Sequence, residues 1–207
     1  MRYRSITTAV VGAAGLAGAA ASGDFAKVGS GPPNGYTVES MIWKGAIEKG
    51  GPELSFNGTI EEVTQRIRAV KKDFTWGPLA DSGHTIEERD TKTGIICGVG
   101  GEDVSPHGPL TANAEEAGDN LGKITGTCGV PAGPKTCSVL TCTRNAAVWL
   151  CNDNDGPIAP PCSSLASYVA DITGKCGQDY YHGVRYCKGQ EFSSDNYNVV
   201  VGWKSQC

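Results

Sequence analysis

Apolar residues along this chain recur at two spacings, and the spacing changes several times. Tyr36, Val38, Met41 and Trp43 read as a first strand over 36–43, and Leu54 with Phe56 as a second that pairs back as a hairpin across the Gly50-Gly51-Pro52 turn. Ile60, Val63, Ile67 and Val70 then fall at helical spacing. Thr59 and Glu62 stand where a capping box needs them, each side chain satisfying an orphan backbone donor of the other. Residues 36–72 are therefore expected to form a ββα unit of their own. A polar stretch over 80–94 follows, charged and nearly free of large apolar residues, and reads as exposed.

Beyond it the periods alternate again. A short strand is predicted over 94–99, and a helix over 112–124 with Ala117, Leu121 and Ile124 on one face. Leu140, Cys142, Ala146, Val148 and Leu150 lie at even spacing over 138–150, with Thr143-Arg144-Asn145 as the point where the run folds into a hairpin. A loop follows over 152–161. A second helix runs from Ser163 or Ser164 to Cys176, closed by Gly177. Strands are expected at 184–187 and at 197–203, where Tyr197, Val199, Val201 and Trp203 alternate. This order implies an α+β fold: an antiparallel sheet with two helices packed on one face.

The two ends of the chain add a compartment. Arg2 and Arg4 precede an uncharged Ala-, Val- and Gly-rich run that ends in Ala19-Ala20-Ala21, the three-part pattern of a secretory signal peptide over 1–21. The run is short of the ~20 apolar residues that cross a bilayer, and no later stretch approaches that length. Residues 22–35 form a Gly-, Ser- and Pro-rich lead-in. The segment 22–90 is expected to be either a pro-segment, with Lys71-Lys72 and Arg89 as processing sites, or a permanent accessory unit, and 91–207 is the cysteine-rich domain.

All nine cysteines lie in that domain: Cys97, Cys128, Cys137, Cys142, Cys151, Cys162, Cys176, Cys187 and Cys207. Structural zinc needs matched short Cys or His pairs, which this spacing and three histidines (His84, His107, His182) do not provide. Disulfides in an exported protein are the expected use. An odd count leaves one thiol over, either for an intermolecular bond or as a buried, inert group. If 163–176 is helical, Cys162 and Cys176 stand about 20 Å apart, beyond the roughly 7 Å that a bridge spans. Cys176 then staples its helix to the sheet.

Chemistry is sparse. The chain contains no G-x-S-x-G, H-E-x-x-H or P-loop, and Gly98-Val99-Gly100-Gly101 is a turn rather than a dinucleotide fingerprint. No catalytic, cofactor-binding or metal-binding residues are assigned. The Asp153-Asn154-Asp155-Gly156 run fails as a calcium loop, because Cys151 and Cys162 stand where its end ligands belong. The carboxylate pairs Glu61-Glu62, Glu87-Glu88 and Glu115-Glu116 read as solvated charge, since neighbours on a helix point apart. Asn57-Gly58-Thr59 is a glycosylation sequon that competes with the helix cap. Tyr180 and Tyr181 are candidate partner contacts. A net charge of −4, more acidic still once Arg2 and Arg4 are removed, disfavours nucleic acid.

The stretch from Cys137 to Asn154, the helix ending in Cys176, the run from Gly189 to Gly202 before Cys207, and LSFNGTIEEV over 54–63 resemble a group of small secreted cysteine-rich proteins of filamentous fungi. In layout the chain is also similar to the virally encoded killer toxins of smut fungi and to necrosis-inducing fungal effectors. The resemblance implies a shared set of Cys97, Cys137, Cys142, Cys151, Cys176 and Cys207, with Cys128, Cys162 and Cys187 as additions. The expected function is a secreted, non-enzymatic protein that binds an extracellular target on a host or competitor. The alternative is a small extracellular hydrolase or carbohydrate-active protein, which converging carboxylates with shifted pKa values would favour.

Overall fold

Eleven strands and three helices follow one another in the computed structural model, which describes residues 31–33, 35–77, 91–101, 105 and 107–207. The expected signal segment, His84, Glu87-Glu88 and Arg89 lie outside them. In chain order the elements are β1 (Thr37–Glu39), β2 (Ile42–Gly45), β3 (Leu54–Asn57), α1 (Ile60–Val70), β4 (Lys92–Cys97) and α2 (Thr111–Leu121). Next come β5 (Thr127–Gly129), β6 (Thr136–Thr143), β7 (Ala146–Asn152), a 3₁₀ turn (Cys162–Leu165) and α3 (Ala166–Cys176). The chain finishes with β8 (Gln178–Tyr181), β9 (Val184–Tyr186), β10 (Gly189–Ser193) and β11 (Tyr197–Trp203).

The central sheet has the order β1-β6-β7-β11-β10-β4. Its pairs are antiparallel except β1–β6, which is parallel. The class is α+β, and the sheet is mixed at one edge. Side chains alternate across its two faces. Leu140, Val148, Leu150, Val199 and Val201 share one core with Ala114, Ala117 and Leu121 of α2 and Val169 and Ile172 of α3. Gly118 lets the two helices approach closely, because a Cβ there would lie 2.9 Å from Val169 Cγ1. The opposite face buries Cys137, Ala147, Trp149, Cys151 and Val200. Gly100 and Gly101, at φ +87° and +82°, lie tight on it: a Cβ on Gly101 would meet the Trp203 backbone at 2.4 Å.

The even-spaced run over 138–150 is broken by a register shift between Val139 and Thr141. A bulge inserts one residue and reverses the side chains beyond it. Cys142 consequently packs with Cys137 and Cys151 on the far face, not with Leu140 and Val148. The hairpin turn falls where expected. Arg144 and Asn145 take φ +47° and +69°, the left-handed pair that a two-residue hairpin loop requires.

The ββα segment does not stand apart. The strand expected over 36–43 splits in two: β1 adds to β6, whereas β2 pairs with β3 on one side and β5 on the other. Trp43, Ile60, Val63 and Ile67 are buried in the same core as Leu121, Cys128 and Leu140. Trp43 donates its indole N–H to the Thr125 carbonyl at 2.8 Å. Glu61 accepts from the Thr141 hydroxyl and from the Cys142 backbone N–H, which binds α1 to β6. No cysteine precedes residue 97, so these contacts with 107–207 are non-covalent.

Candidate functional site

Eight cysteines form four bridges, Cys97–Cys176, Cys128–Cys162, Cys137–Cys151 and Cys142–Cys207. Cys97–Cys176 joins the end of α3 to the edge strand β4. Cys128–Cys162 joins β5 to the turn before α3. Cys137 and Cys151 face each other across the β6–β7 ladder with Cα atoms 3.9 Å apart. Cys142–Cys207 ties the last residue to β6. Cys187 is left free.

Cys187 is 1% exposed. Burial pushes its thiol up to about 11, the neighbouring Thr111 opposes this, and nearby Glu115 and Arg185 act in opposite senses. A thiol held above neutrality in an apolar setting is a poor nucleophile. Intermolecular bonding would first require it to reach the surface.

Tyr180 lies in the β8–β9 hairpin and is 40% exposed. Its ring rests against His107, with centroids 3.9 Å apart, and meets Tyr186 edge-on. Its hydroxyl donates to Gln178 Oε1 at 2.9 Å. Leu110, which bridges to Tyr186, and Val184 are exposed as well. Tyr181 is in the same strand, and His182 forms the turn at φ +45°.

The remaining polar signals are absorbed by the fold. Thr59 and Glu62 complete the capping box, and Asn57 stays exposed at the end of β3. Glu116 pairs with Arg144 at 3.2 Å. In the 152–156 loop, Asn152 accepts from the Asn154 backbone and donates to the carbonyls of Pro131 and Gly156. Tyr36 donates to Asp153 at 2.8 Å. Burial and that carboxylate push the Tyr36 phenol up to about 12. Among the described residues no His, Cys, Asp and Glu side chains gather as a metal site, and no helix is long and apolar enough to cross a membrane.

One charged cluster is new. Glu191 on β10 faces the helices and is 4% exposed. Lys92 of β4 sits 3.7 Å from Glu191 Oε2 and 2.5 Å from Asp171 Oδ2 on α3. The Lys92 ammonium lies 4.6 Å from the centre of the Tyr168 ring, whose hydroxyl is 3.4 Å from that of Tyr197. Burial pushes the Glu191 carboxyl up to about 7; Lys92 opposes this and Asp171 adds to it. Hydrophobic spacing does not reveal the site, because the inward face of β10 carries Gly189, Glu191 and Ser193 while Phe192 points outward. The visible signal is a lone acid in a short segment just ahead of the strongly alternating β11.

Comparison with protein-family models, with curated proteins and with solved structures gave no match.

Proposed function

We propose that the protein is secreted, is not an enzyme, and acts by binding an extracellular target on a host or competitor, in the manner of fungal effectors and killer toxins. The observation that carries this reading is the exposed aromatic of the β8–β9 hairpin. Tyr180 is fixed from below by His107 and at its hydroxyl by Gln178, so little side-chain freedom is lost when a partner covers it. Leu110 and Val184 extend the apolar contact area. Four bridges in a short chain support an oxidising compartment, and the signal-like first 21 residues support the same route. Asn57, exposed at a strand end, is open to a glycan.

A second reading, a small extracellular hydrolase, is favoured by Glu191, an acid held near neutrality beside Asp171. Against it, Lys92 is within ion-pair distance of both carboxyls and Glu191 is covered. The test compares Tyr180→Ala and Glu191→Gln. Labelled Tyr180→Ala protein is expected to lose about tenfold in binding to target cells, the effect of one buried aromatic anchor, with an unchanged circular dichroism spectrum. Turnover on a panel of glycoside, ester and peptide substrates that Glu191→Gln abolishes would replace the binding reading with the hydrolytic one.

A further inference from the structure

We infer that Asp171 and Glu191 share Lys92, and that a proton on Glu191 decides which of them it serves, so that α3 is clamped to the sheet in acid and loosened toward neutral pH. The geometry is that of the clamped state. Lys92 is in direct contact with Asp171 on α3, while Glu191 Oε2 is buried, makes no hydrogen bond and has Lys92 only at the longer distance of 3.7 Å. A neutral carboxylic acid tolerates that position. An ionised one calls for a closer cation than Lys92 at 3.7 Å, because a buried charge needs a tightly held partner.

The two acids differ in their access to water. The Asp171 side chain is 50% exposed and that of Glu191 5%. Water can replace Lys92 at Asp171 but not at Glu191, and the ion pair is worth more where water is excluded. Loss of the Glu191 proton to solvent therefore draws Lys92 inward from 3.7 Å and away from the helix. Among the described residues, the titratable groups that the structure places against the pair are Lys92 from β4, Asp171 and Tyr168 from α3, and Tyr197 from β11. Only one of them is a cation. The Cys97–Cys176 bridge holds the far end of α3 throughout, which confines the loosening to the part of the helix around Asp171. The elevated carboxyl, near 7, places the change between mildly acidic and neutral conditions.

The experiment uses the full disulfide-bonded protein. Carbon-detected NMR of the side-chain carboxyls gives the Glu191 titration directly, and amide exchange gives protection factors for α3 relative to β7 at about pH 5 and about pH 8. The expected results are a Glu191 midpoint near 7 and a roughly tenfold or greater fall in α3 protection across that interval, absent in Glu191→Gln. A Glu191 midpoint in the ordinary carboxyl range overturns the proposal. So does α3 protection that ignores pH, or that keeps its pH dependence in Glu191→Gln. The carboxyl titration needs no variant and decides the matter even if Glu191→Gln does not fold.

Discussion

Cys187 and Glu191 are both covered groups whose charged forms have lost water, and they differ in what remains beside them. Around Cys187, burial outweighs the neighbouring Thr111, Glu115 and Arg185, so its thiol stays protonated up to about 11. Native protein is therefore expected to leave this thiol unlabelled by a maleimide at neutral pH, and to take up one equivalent once denatured. Labelling of the native form at the rate of a free thiol would contradict the burial. Glu191 has a cation, but a shared one. Its folded pKa lies above the ordinary 4.5, so its contribution to stability is fully present below about 4.5 and is lost as pH rises through about 7. Denaturant midpoints should fall over that window, and Glu191→Gln should flatten that fall. Tyr36 follows the same sign at the other end of the scale. Its contribution is complete below about 10 and lost toward about 12. Tyr36→Phe, which leaves Asp153 without its closest donor, should cost about 1–2 kcal/mol at neutral pH in denaturant unfolding.

Elements were legible in the sequence wherever one face was apolar. The α1 cap and its face, the 144–145 turn and the alternation of β11 all stand where their residues point. Val70 is the exception on α1: it completes the helical spacing yet is 76% exposed, because the core contacts end at Ile67. Three strands went unread for separate reasons. β5 has only three residues, β8 begins directly after α3, and β10 turns small and polar residues inward. The bulge in β6 was equally hidden, since a one-residue insertion leaves composition unchanged while moving Cys142 to the other face. Two predictions belong to this scale. Ile67→Ala should destabilise the whole protein by about 2–5 kcal/mol in a single transition, whereas Val70→Ala should stay within about 0.5 kcal/mol. Thr59→Asp should keep the cap while abolishing the sequon, whereas Thr59→Ala should lose both at a cost of about 1 kcal/mol. A Thr59→Asp protein that lost as much stability as Thr59→Ala would show that the hydroxyl does more than cap.

At the scale of the molecule, the bridges and the cysteine-free segment stabilise the fold by different means. Four covalent links constrain the chain from residue 97 onward. The segment from Thr37 to Phe74 is held by burial of Trp43, Val63 and Ile67 and by the charge-assisted contacts of Glu61. A proteolytic cut between Phe74 and Thr91 would thus be expected to leave two pieces associated. Separating them would unpair β5 and β6 from β2 and β1 and expose the buried side chains beneath α1 to water. Nothing in composition or periodicity announced this integration, because a ββα unit reads the same whether it folds alone or lends its strands to a neighbour.

The measurement that bears most directly on this account is non-reducing peptide mapping by mass spectrometry of the protein recovered from culture medium. The expected result is Cys97–Cys176, Cys128–Cys162, Cys137–Cys151 and Cys142–Cys207, a lone thiol at Cys187, and the Trp43 peptide co-purifying with the cysteine-rich part. Reduced cysteines, a different pairing, or a stable secreted product lacking the Trp43 segment would contradict it.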